Sequence, residues 1–413
     1  MTMNLKELLF TANQKLHQGD FREAETLFSE MLKRDPKSVD AIWGRARARW
    51  SIQAFDAAIG DYAEAHFHDP CHEFILQEYV SALVKRQREE EALKVCDEAI
   101  KKAPKNISAH IGRDWVTSLI APIWHIPMVN EKQRNQAYFD GIVAANFKED
   151  ELVFEIGAGS GLLSMIAARQ GAGFVVACEA KRSVAKVAEK VIESNRLGNR
   201  IRIVNKSSHQ VALGADLERR ADVLLHEIFS SELLGEHVLP SIEDAKARLL
   251  KEEAKIIPPS ASIMIGLVGS KALKNYLFAS ETFGFDLTEL NKVSLQKVPI
   301  YREDLDLILM SDAHEAFAFD FQSKSHFPPE SKVFQMASTR EGECLGVVQW
   351  IKINFDSGIV YQNHPANKIG VTGWERLIFK FKSPISMVKG ETVEIQGSHN
   401  RERIWFDLLS HKP

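Results

Sequence analysis

Glu227 and Glu236 stand nine residues apart, separated by Ile228-Phe229-Ser230-Ser231-Glu232-Leu233-Leu234-Gly235. Two carboxylates brought to one point can hold a guanidinium, each through a bidentate fork that fixes the plane of the cation. For an isolated pair of acids the plainer explanation of Glu236 is a solvated helix cap, so the neighbouring sequence has to decide. Upstream, Gly157-Ala158-Gly159-Ser160-Gly161 follows the apolar run Leu152-Val153-Phe154-Glu155-Ile156 and opens a helical pattern. Glycines there permit a tight turn and let a ligand press against backbone N–H groups. A dinucleotide fingerprint would run G-x-G-x-x-G/A. With Leu162 after Gly161 the pattern is instead G-x-G-x-G, which suits a nucleoside without a pyrophosphate, S-adenosylmethionine being the commonest. Glu179 lies 18 residues beyond Gly161, at the end of a second apolar run, where a carboxylate can accept from both ribose hydroxyls.

The elements that must position these groups alternate. Residues 152–156, 174–179, 201–205 and 222–227 read as strands, and helical patterns follow Gly161 and span 183–195. Alternation of this kind predicts a doubly wound parallel sheet, whose ligands sit at the carboxyl ends of the strands. After Pro258-Pro259 the texture changes to alternating β runs at 262–268, 346–355 and 376–381, so 259–413 reads as mostly antiparallel. Residues 271–310 are mixed and read as a helical excursion.

The first 120 residues carry a repeat. Pro36, Pro70 and Pro104 fall 34 residues apart, the tetratricopeptide period. Counting units from Leu5, Val39 and Glu73, position 8 is Ala12, Ala46 and Val80, and position 20 is Ala24, Ala58 and Ala92. Position 24 is Phe28, Tyr62 and Cys96, and position 27 is Met31, Ala65 and Ala99. Small residues let paired helices approach, and larger ones plug the groove between neighbours. A unit of this kind cannot bury its apolar face alone, so a fourth helix at 108–119 is expected to close the stack, with Ile111, Trp115 and Leu119 at helical spacing. Ala121-Pro122-Ile123-Trp124 then breaks it.

Bulk composition narrows the classes. Lys and Arg total 52 against 56 Asp and Glu, a net charge of -4 in 413 residues, so no basic excess marks a nucleic-acid footprint. No apolar run approaches the roughly 18–20 residues of a membrane helix. The first residues lack the pattern of a secretion signal, and Cys71, Cys96, Cys178 and Cys344 show no paired spacing. The expectation is a cytoplasmic protein with reduced thiols and neither membrane nor nucleic acid as a partner. The run His66-Phe67-His68-Asp69-Pro70-Cys71-His72 reads as a polar inter-repeat turn rather than a metal site.

Taken together, these residues resemble a known family. Glu-x8-Glu after the fourth strand is similar to the double-glutamate loop of the protein arginine methyltransferases, and the glycine loop, Glu179 and the 222–227 strand match in order and spacing. Trp124-His125-Ile126-Pro127-Met128 and Arg134-Asn135 resemble the family's N-terminal active-site helix, and Thr372-Gly373-Trp374 resembles its Thr-His-Trp loop. The resemblance covers roughly 120–413. It implies that Glu227 and Glu236 are catalytic, that S-adenosylmethionine is the cofactor, and that Arg134 grips the cofactor's methionine carboxylate. It further implies that Met128 and Trp374 line the arginine pocket and that Ser208 falls at the adenine. The family's loop histidine is Gly373 here. That histidine pairs with an acid on the N-terminal helix, a place Glu131 occupies, and His364 and His125 are the candidates to replace it.

Repeats ahead of such a module resemble the symmetric-dimethylating subfamily, whereas Glu232-Leu233-Leu234-Gly235-Glu236 resembles the monomethylating branch. Relatives of both kinds usually carry two modules. One module here implies pairing with a second copy, a homodimer. The expected organisation is tetratricopeptide helical repeats over 1–119, an S-adenosylmethionine-binding class I methyltransferase sheet over 120–258, and a β-barrel-like substrate and dimerisation domain over 259–413. The expected function is a protein arginine N-methyltransferase acting on an arginine-bearing, Arg- and Gly-rich protein, with the repeats binding a protein or peptide. Two competing readings remain. One is a methyltransferase of the same fold with another acceptor, which the two glutamates disfavour because an uncharged acceptor gains nothing from buried anions. The other is a catalytically impaired scaffold, suggested by Gly373.

Overall fold

The 34-residue period governs where helices begin. In the computed structural model, which describes residues 3–121, 123, 125–301, 305–367 and 373–412, the first helices of successive pairs are α1 (Leu5–Gln18), α3 (Val39–Ser51) and α5 (Glu73–Lys85). Their partners are α2 (Phe21–Arg34), α4 (Phe55–His68) and α6 (Glu89–Lys102), and α7 (Ile107–Ile120) closes the series. Trp124 and Thr372, part of the motifs above, lie outside the described residues. By internal contacts the chain forms two units, Met1–Pro122 and Ile123–Pro413.

In the first unit, position 24 of each repeat reaches position 6 of the next. A Cβ on Gly44 would lie 2.3 Å from the Phe28 ring, and one on Gly112 would lie 3.3 Å from Cys96 Sγ. In the middle repeat the same slot is polar, and Tyr62 Oη donates to Glu78 Oε2 at 3.1 Å. Asp61, buried, accepts both a fork from Arg45 (3.0 and 2.7 Å) and Arg49 Nη1 (2.9 Å). The closing helix departs from expectation. Ser108, Ala109 and Val116 are its buried face, whereas Ile111, Trp115 and Leu119 are 64%, 41% and 40% exposed. Gly112 explains the inversion, because close approach to Cys96 needs the small side of the helix, which turns the bulky stripe outward.

The second unit starts with α8 (His125–Asn130) and α9 (Lys132–Ala144), followed by β1 (Leu152–Ile156), α10 (Leu162–Arg169), β2 (Phe174–Cys178), α11 (Arg182–Ser194), β3 (Ile201–Val204), β4 (Ala221–His226), α12 (Val238–Arg248) and β5 (Leu250–Ile257). The parallel sheet has the order β3-β2-β1-β4-β5. β1 is buried along its whole length, as a strand covered on both faces must be. β5 is an edge strand absent from the sequence reading, its outer residues Lys251, Glu252 and Glu253 being exposed.

Beyond Pro258-Pro259 the chain builds antiparallel sheets. β6 (Ser260–Gly269), α13 (Lys271–Leu277), the hairpin of β7 (Glu281–Thr282) and β8 (Phe285–Asp286), β9 (Lys297–Ile300) and β10 (Ile308–Leu309) lead into β11 (His314–Asp320), β12 (Glu330–Ala337) and β13 (Gly342–Asn354). β14 (Val360–Gln362), β15 (Arg376–Met387), β16 (Thr392–His399) and β17 (Ile404–Lys412) complete it. One sheet has the order β10-β6-β13-β15-β9, with β11 on β6 and β14 on β13, and a second has β12-β16-β17. One apolar core runs from Tyr138 through Phe154 and Leu224 to Phe317, Trp374 and Phe406, joining both kinds of sheet. Among the described residues of the 271–310 stretch the reading of a helical excursion holds in part: a short helix and a 3-10 turn (Thr288–Val293) flank a two-stranded hairpin, and two short strands follow. Among the described residues no helix is long and apolar enough to cross a membrane.

Gly44→Val should destabilise the repeat unit by about 2 kcal/mol or more, since its side chain would have to displace the buried Phe28 ring. Gly60→Ala, on exposed helix with nothing within 4 Å of the new Cβ, should instead stabilise by about 0.5–1 kcal/mol. Chemical denaturation of the two variants checks the contrast.

Candidate active site

Strand register alone gathers three of the expected residues. Ile156 pairs with Cys178 on one side and with His226 on the other. The next residue on each strand is therefore Glu179, Gly157 or Glu227, side by side at the carboxyl edge of the sheet with about 4.8 Å between neighbouring backbones. This edge lies where the chain order reverses across β1, the usual ligand crevice of such a sheet.

The glycine loop is shaped by backbone geometry that side chains resist. Gly157, Gly159 and Gly161 have φ of 81°, 53° and 78°, and a Cβ on Gly157 would lie 2.7 Å from Ile228 Cγ2. Gly157 and Ala158 N–H both donate to Cys178 O at 3.0 Å, and Gly161 caps α10. Glu179 Oε2 accepts from Gly159 N at 3.1 Å and Oε1 from Lys181 N at 2.8 Å, so this carboxylate faces the loop.

The segment from Glu227 to Glu236 is a fixed turn. Ser230 Oγ accepts from Glu232 N (3.2 Å) and Gly235 N (2.9 Å), and Leu233 N donates to Ser230 O at 2.8 Å. Leu233 is held at φ 69°, a conformation a bulky residue adopts only when its surroundings impose it, and Leu233 and Leu234 are fully buried. The turn is tied to the antiparallel half. Ser231 Oγ donates to Glu375 Oε2 at 2.5 Å, and buried Glu232 takes Lys297 Nζ (2.5 Å), Arg403 Nη1 (3.2 Å) and Ile404 N (3.2 Å). Trp374 Nε1 donates to Phe229 O at 2.7 Å.

Arg134, one turn into α9, points at the same edge. Its Nη2 pairs with Glu227 Oε2 at 2.5 Å, both side chains being under 8% exposed. The guanidinium lies 5.2 Å from the Tyr138 ring centroid and 5.6 Å from that of Trp374, and its buried Nε has no protein partner. Buried Glu131, just before α9, accepts from Tyr361 Oη and, at 3.0 Å, from Gly373 N. Gly373 runs so close to Met128 that a Cβ would lie 2.6 Å from Met128 Cβ and 3.1 Å from its Cα. No imidazole fits on that residue without moving α8.

The site is strongly anionic, and its acids respond. Burial pushes Glu227 above the ordinary carboxylate value, against the pull of Arg134. Glu236 is open to solvent at its edge but recessed, and burial followed by the charges of Glu227 and Glu179 pushes it up to about 7. Burial likewise raises Glu155, beneath the loop at the end of β1, to about 8, although Ser164 donates to it.

Glu227, Arg134, Trp374, Glu179 and the glycines thus converge on one edge, and Glu236 is near enough for its charge to interact with Glu227 and Glu179. Met128 adjoins Gly373. Ser208 is buried at the start of a 3-10 turn against α12, with Arg248 Nη2 on its carbonyl at 3.3 Å. Neither expected histidine is what braces Glu131. The His364 ring meets Trp350 at 5.0 Å, and a Cβ on Gly159 would lie 3.8 Å from the His125 ring, placing His125 at the glycine loop. Tyr361 and Glu155 were not singled out from sequence. Glu155 was legible as an acid in an apolar strand just before the loop.

A doubly wound sheet with a glycine loop, an acid after the second strand and no pyrophosphate fingerprint defines a class I, S-adenosylmethionine-dependent methyltransferase. Comparisons agree. The tetratricopeptide repeat family matches residues 11–68, and the family described as ribosomal protein L11 methyltransferase (PrmA) matches 140–266. The arginine N(omega)-methyltransferase of Streptomyces achromogenes subsp. streptozoticus is 30% identical over 278 residues, 67% of this chain and 75% of that protein. Protein arginine N-methyltransferase 1.6 of Arabidopsis thaliana is 32% identical over 319 residues, 70% of this chain and 44% of that protein. Protein arginine N-methyltransferase 7 of Gallus gallus is 28% identical over 322 residues, 70% and 46%. The chain therefore spans under half the length of these last two relatives. The Trypanosoma brucei PRMT1 enzyme–prozyme heterotetrameric complex with AdoHcy shares the fold at TM-score 0.61 and 19% identity, over 71% of this chain and 98% of that one. This chain belongs to the arginine N-methyltransferase family.

Because no space exists at position 373, Gly373→His should not restore the family's pairing. It should lower activity by about tenfold or more and reduce the melting temperature, with Gly373→Ala showing the same direction. Methylation rates and thermal melts of both variants measure this.

Proposed function

We propose that the chain is a protein arginine N-methyltransferase whose repeats recruit its protein substrate. The observation carrying this reading is the Arg134 guanidinium itself, held against Glu227 and facing the Trp374 ring. A recess that accepts one guanidinium in this way has the chemistry to accept another.

The residues fit S-adenosylmethionine. Three left-handed glycines, the Glu179 carboxylate and the turn beginning at Ser208 suit a nucleoside. Arg134, with a buried N–H lacking a protein partner, suits a carboxylate. When bound, the cofactor supplies an electrophilic methyl group on a sulfonium. Glu227 and Glu236 orient the acceptor guanidinium and draw its positive charge onto the nitrogen that does not attack. Most of the acceleration is then positioning and preorganised electrostatics. Glu236, titrating near neutrality, can take up the proton released by the methylated nitrogen. Met128 and Trp374 wall the arginine side chain.

A groove of about 440 Å³ in the repeat unit, lined among others by Arg47, Trp50, Tyr62, Gln77, Glu78 and Lys85, is the surface offered to a partner peptide. The hairpin segment exposes Phe283 (96%), Phe285 (71%), Val293 (84%) and Leu295 (73%), an apolar surface suited to a second copy. On this reading the parent protein should scatter light as a dimer and Phe283→Ser with Val293→Ser as a monomer; a monomeric parent would rule the pairing out.

The decisive experiment incubates the protein with methyl-labelled cofactor and an Arg- and Gly-rich peptide. The Streptomyces relative is named for arginine rather than for protein, so free arginine is run in parallel. Label should appear on peptide arginine, and Glu227→Gln and Glu236→Gln should each reduce kcat by about 100-fold or more. Absence of label on any arginine overturns the reading. The raised value of Glu236 sets the expected pH dependence: the anionic fraction declines as pH falls below about 7, so kcat/KM should fall as pH drops through that value. An acid limb near the ordinary carboxylate value of 4.5 would exclude this role.

A further inference from the structure

Glu131 is a buried carboxylate with two separately supplied donors. Tyr361 Oη, on β14, serves one oxygen, and the Gly373 N–H serves the other at 3.0 Å. We propose that Tyr361 is the positioning residue of this active site, doing through its hydroxyl what the family's loop histidine does elsewhere. The kinetic part of this inference rests on the methyl transfer proposed above.

Geometry carries the argument. Glu131 lies between Met128 on α8 and Arg134 on α9, so holding its carboxylate holds the junction of the two helices. The Tyr361 ring also meets the Trp374 ring edge-on, at 5.5 Å and 63°. Trp374 in turn donates to Phe229 O, two residues beyond Glu227. Tyr361 thus touches both arms of a closed circuit: through Glu131 and α9 to Arg134 and Glu227, and through Trp374 and Phe229 back to Glu227. Its phenol supplies a hydrogen bond without positive charge. The Glu131 carboxylate favours the Arg134 cation and opposes the charge on Glu227. A histidinium there would cancel that field. The side-chain donor comes from β14, the space beside Gly373 being filled by Cα, Cβ and Cγ of Met128. Without the hydroxyl, a buried carboxylate oxygen loses its donor, and α8, α9 and the Trp374 loop lose their common anchor.

The test uses the full chain carrying Tyr361→Phe, with Glu131→Gln and the double variant beside it. Tyr361→Phe should lower kcat about tenfold or more, while cofactor affinity by calorimetry and the acceptor KM change less than about threefold. The double variant should be no slower than Glu131→Gln alone, because Tyr361 acts through Glu131. Hydrogen exchange should accelerate at 373–376 and 128–135 in Tyr361→Phe and stay unchanged in the repeats. A kcat within twofold of the parent, losses that add in the double variant, or unchanged exchange at both segments would each overturn the proposal. Should the parent protein methylate no arginine, the proposed activity fails by itself, and the exchange measurement still decides the role of Tyr361.

Discussion

Negative charge concentrated in a recess is the constraint on which the second unit is organised. Glu155, Glu179, Glu227 and Glu236 act on one another at the carboxyl edge of one sheet, with Glu131 behind them. Burial and mutual repulsion both penalise such a cluster. The protein relieves it in two ways. Arg134 neutralises Glu227 directly, and Glu155 and Glu236, pushed to about 8 and about 7, hold protons near neutral pH. A recess in this condition gains from every cation that enters. A sulfonium and a guanidinium bring two, and their arrival lets Glu236 ionise where it is needed. Binding and the ionisation required for chemistry are thus coupled through one electrostatic balance.

Keeping those charges apart and aimed demands rigidity from elements that have no charge of their own. Sheet register sets Glu179 and Glu227 on either side of Gly157, and buried strands leave that register no freedom to slip. Glu236 depends on a turn instead. Its shape is imposed by Ser230, by Leu233 in a left-handed conformation, and by Glu232 locked to Lys297, Arg403 and Ile404. The antiparallel half therefore does more than cover the crevice. It holds Ser231 through Glu375, Glu232 through Lys297, Arg403 and Ile404, and Phe229 through Trp374, and one continuous apolar core joins the two sheets.

What could be read in the sequence was what is encoded locally. The glycine loop, Glu179 and Glu227 are each announced by a strand pattern ending at a fixed place, and the repeat by residues recurring at a fixed period. β5 escaped because Lys251-Glu252-Glu253 gives an edge strand a polar, loop-like face. The orientation of α7 escaped because an apolar stripe at helical spacing says which residues share a face, not which face a neighbour will choose. Only the approach to Gly112 settles that. Glu131 and Tyr361 are 230 residues apart, and nothing near either one signals the other. The departure at Gly373 was visible in sequence, whereas its compensation existed only in three dimensions.

That compensation also explains how the departure can be retained. Three features depend on one another: an unsubstituted residue at 373, Met128 packed into the space this leaves, and a hydroxyl reaching Glu131 from β14. A histidine at 373 with Met128 unmoved would collide with it. A phenylalanine at 361 with Gly373 retained would leave a buried carboxylate half satisfied. On this geometry each feature fits the other two, so single changes toward the family pattern are expected to cost stability and rate. The buried acid is the group these donors have to serve, because the Glu131 carboxylate is where the α8–α9 junction, β14 and the backbone at Gly373 meet.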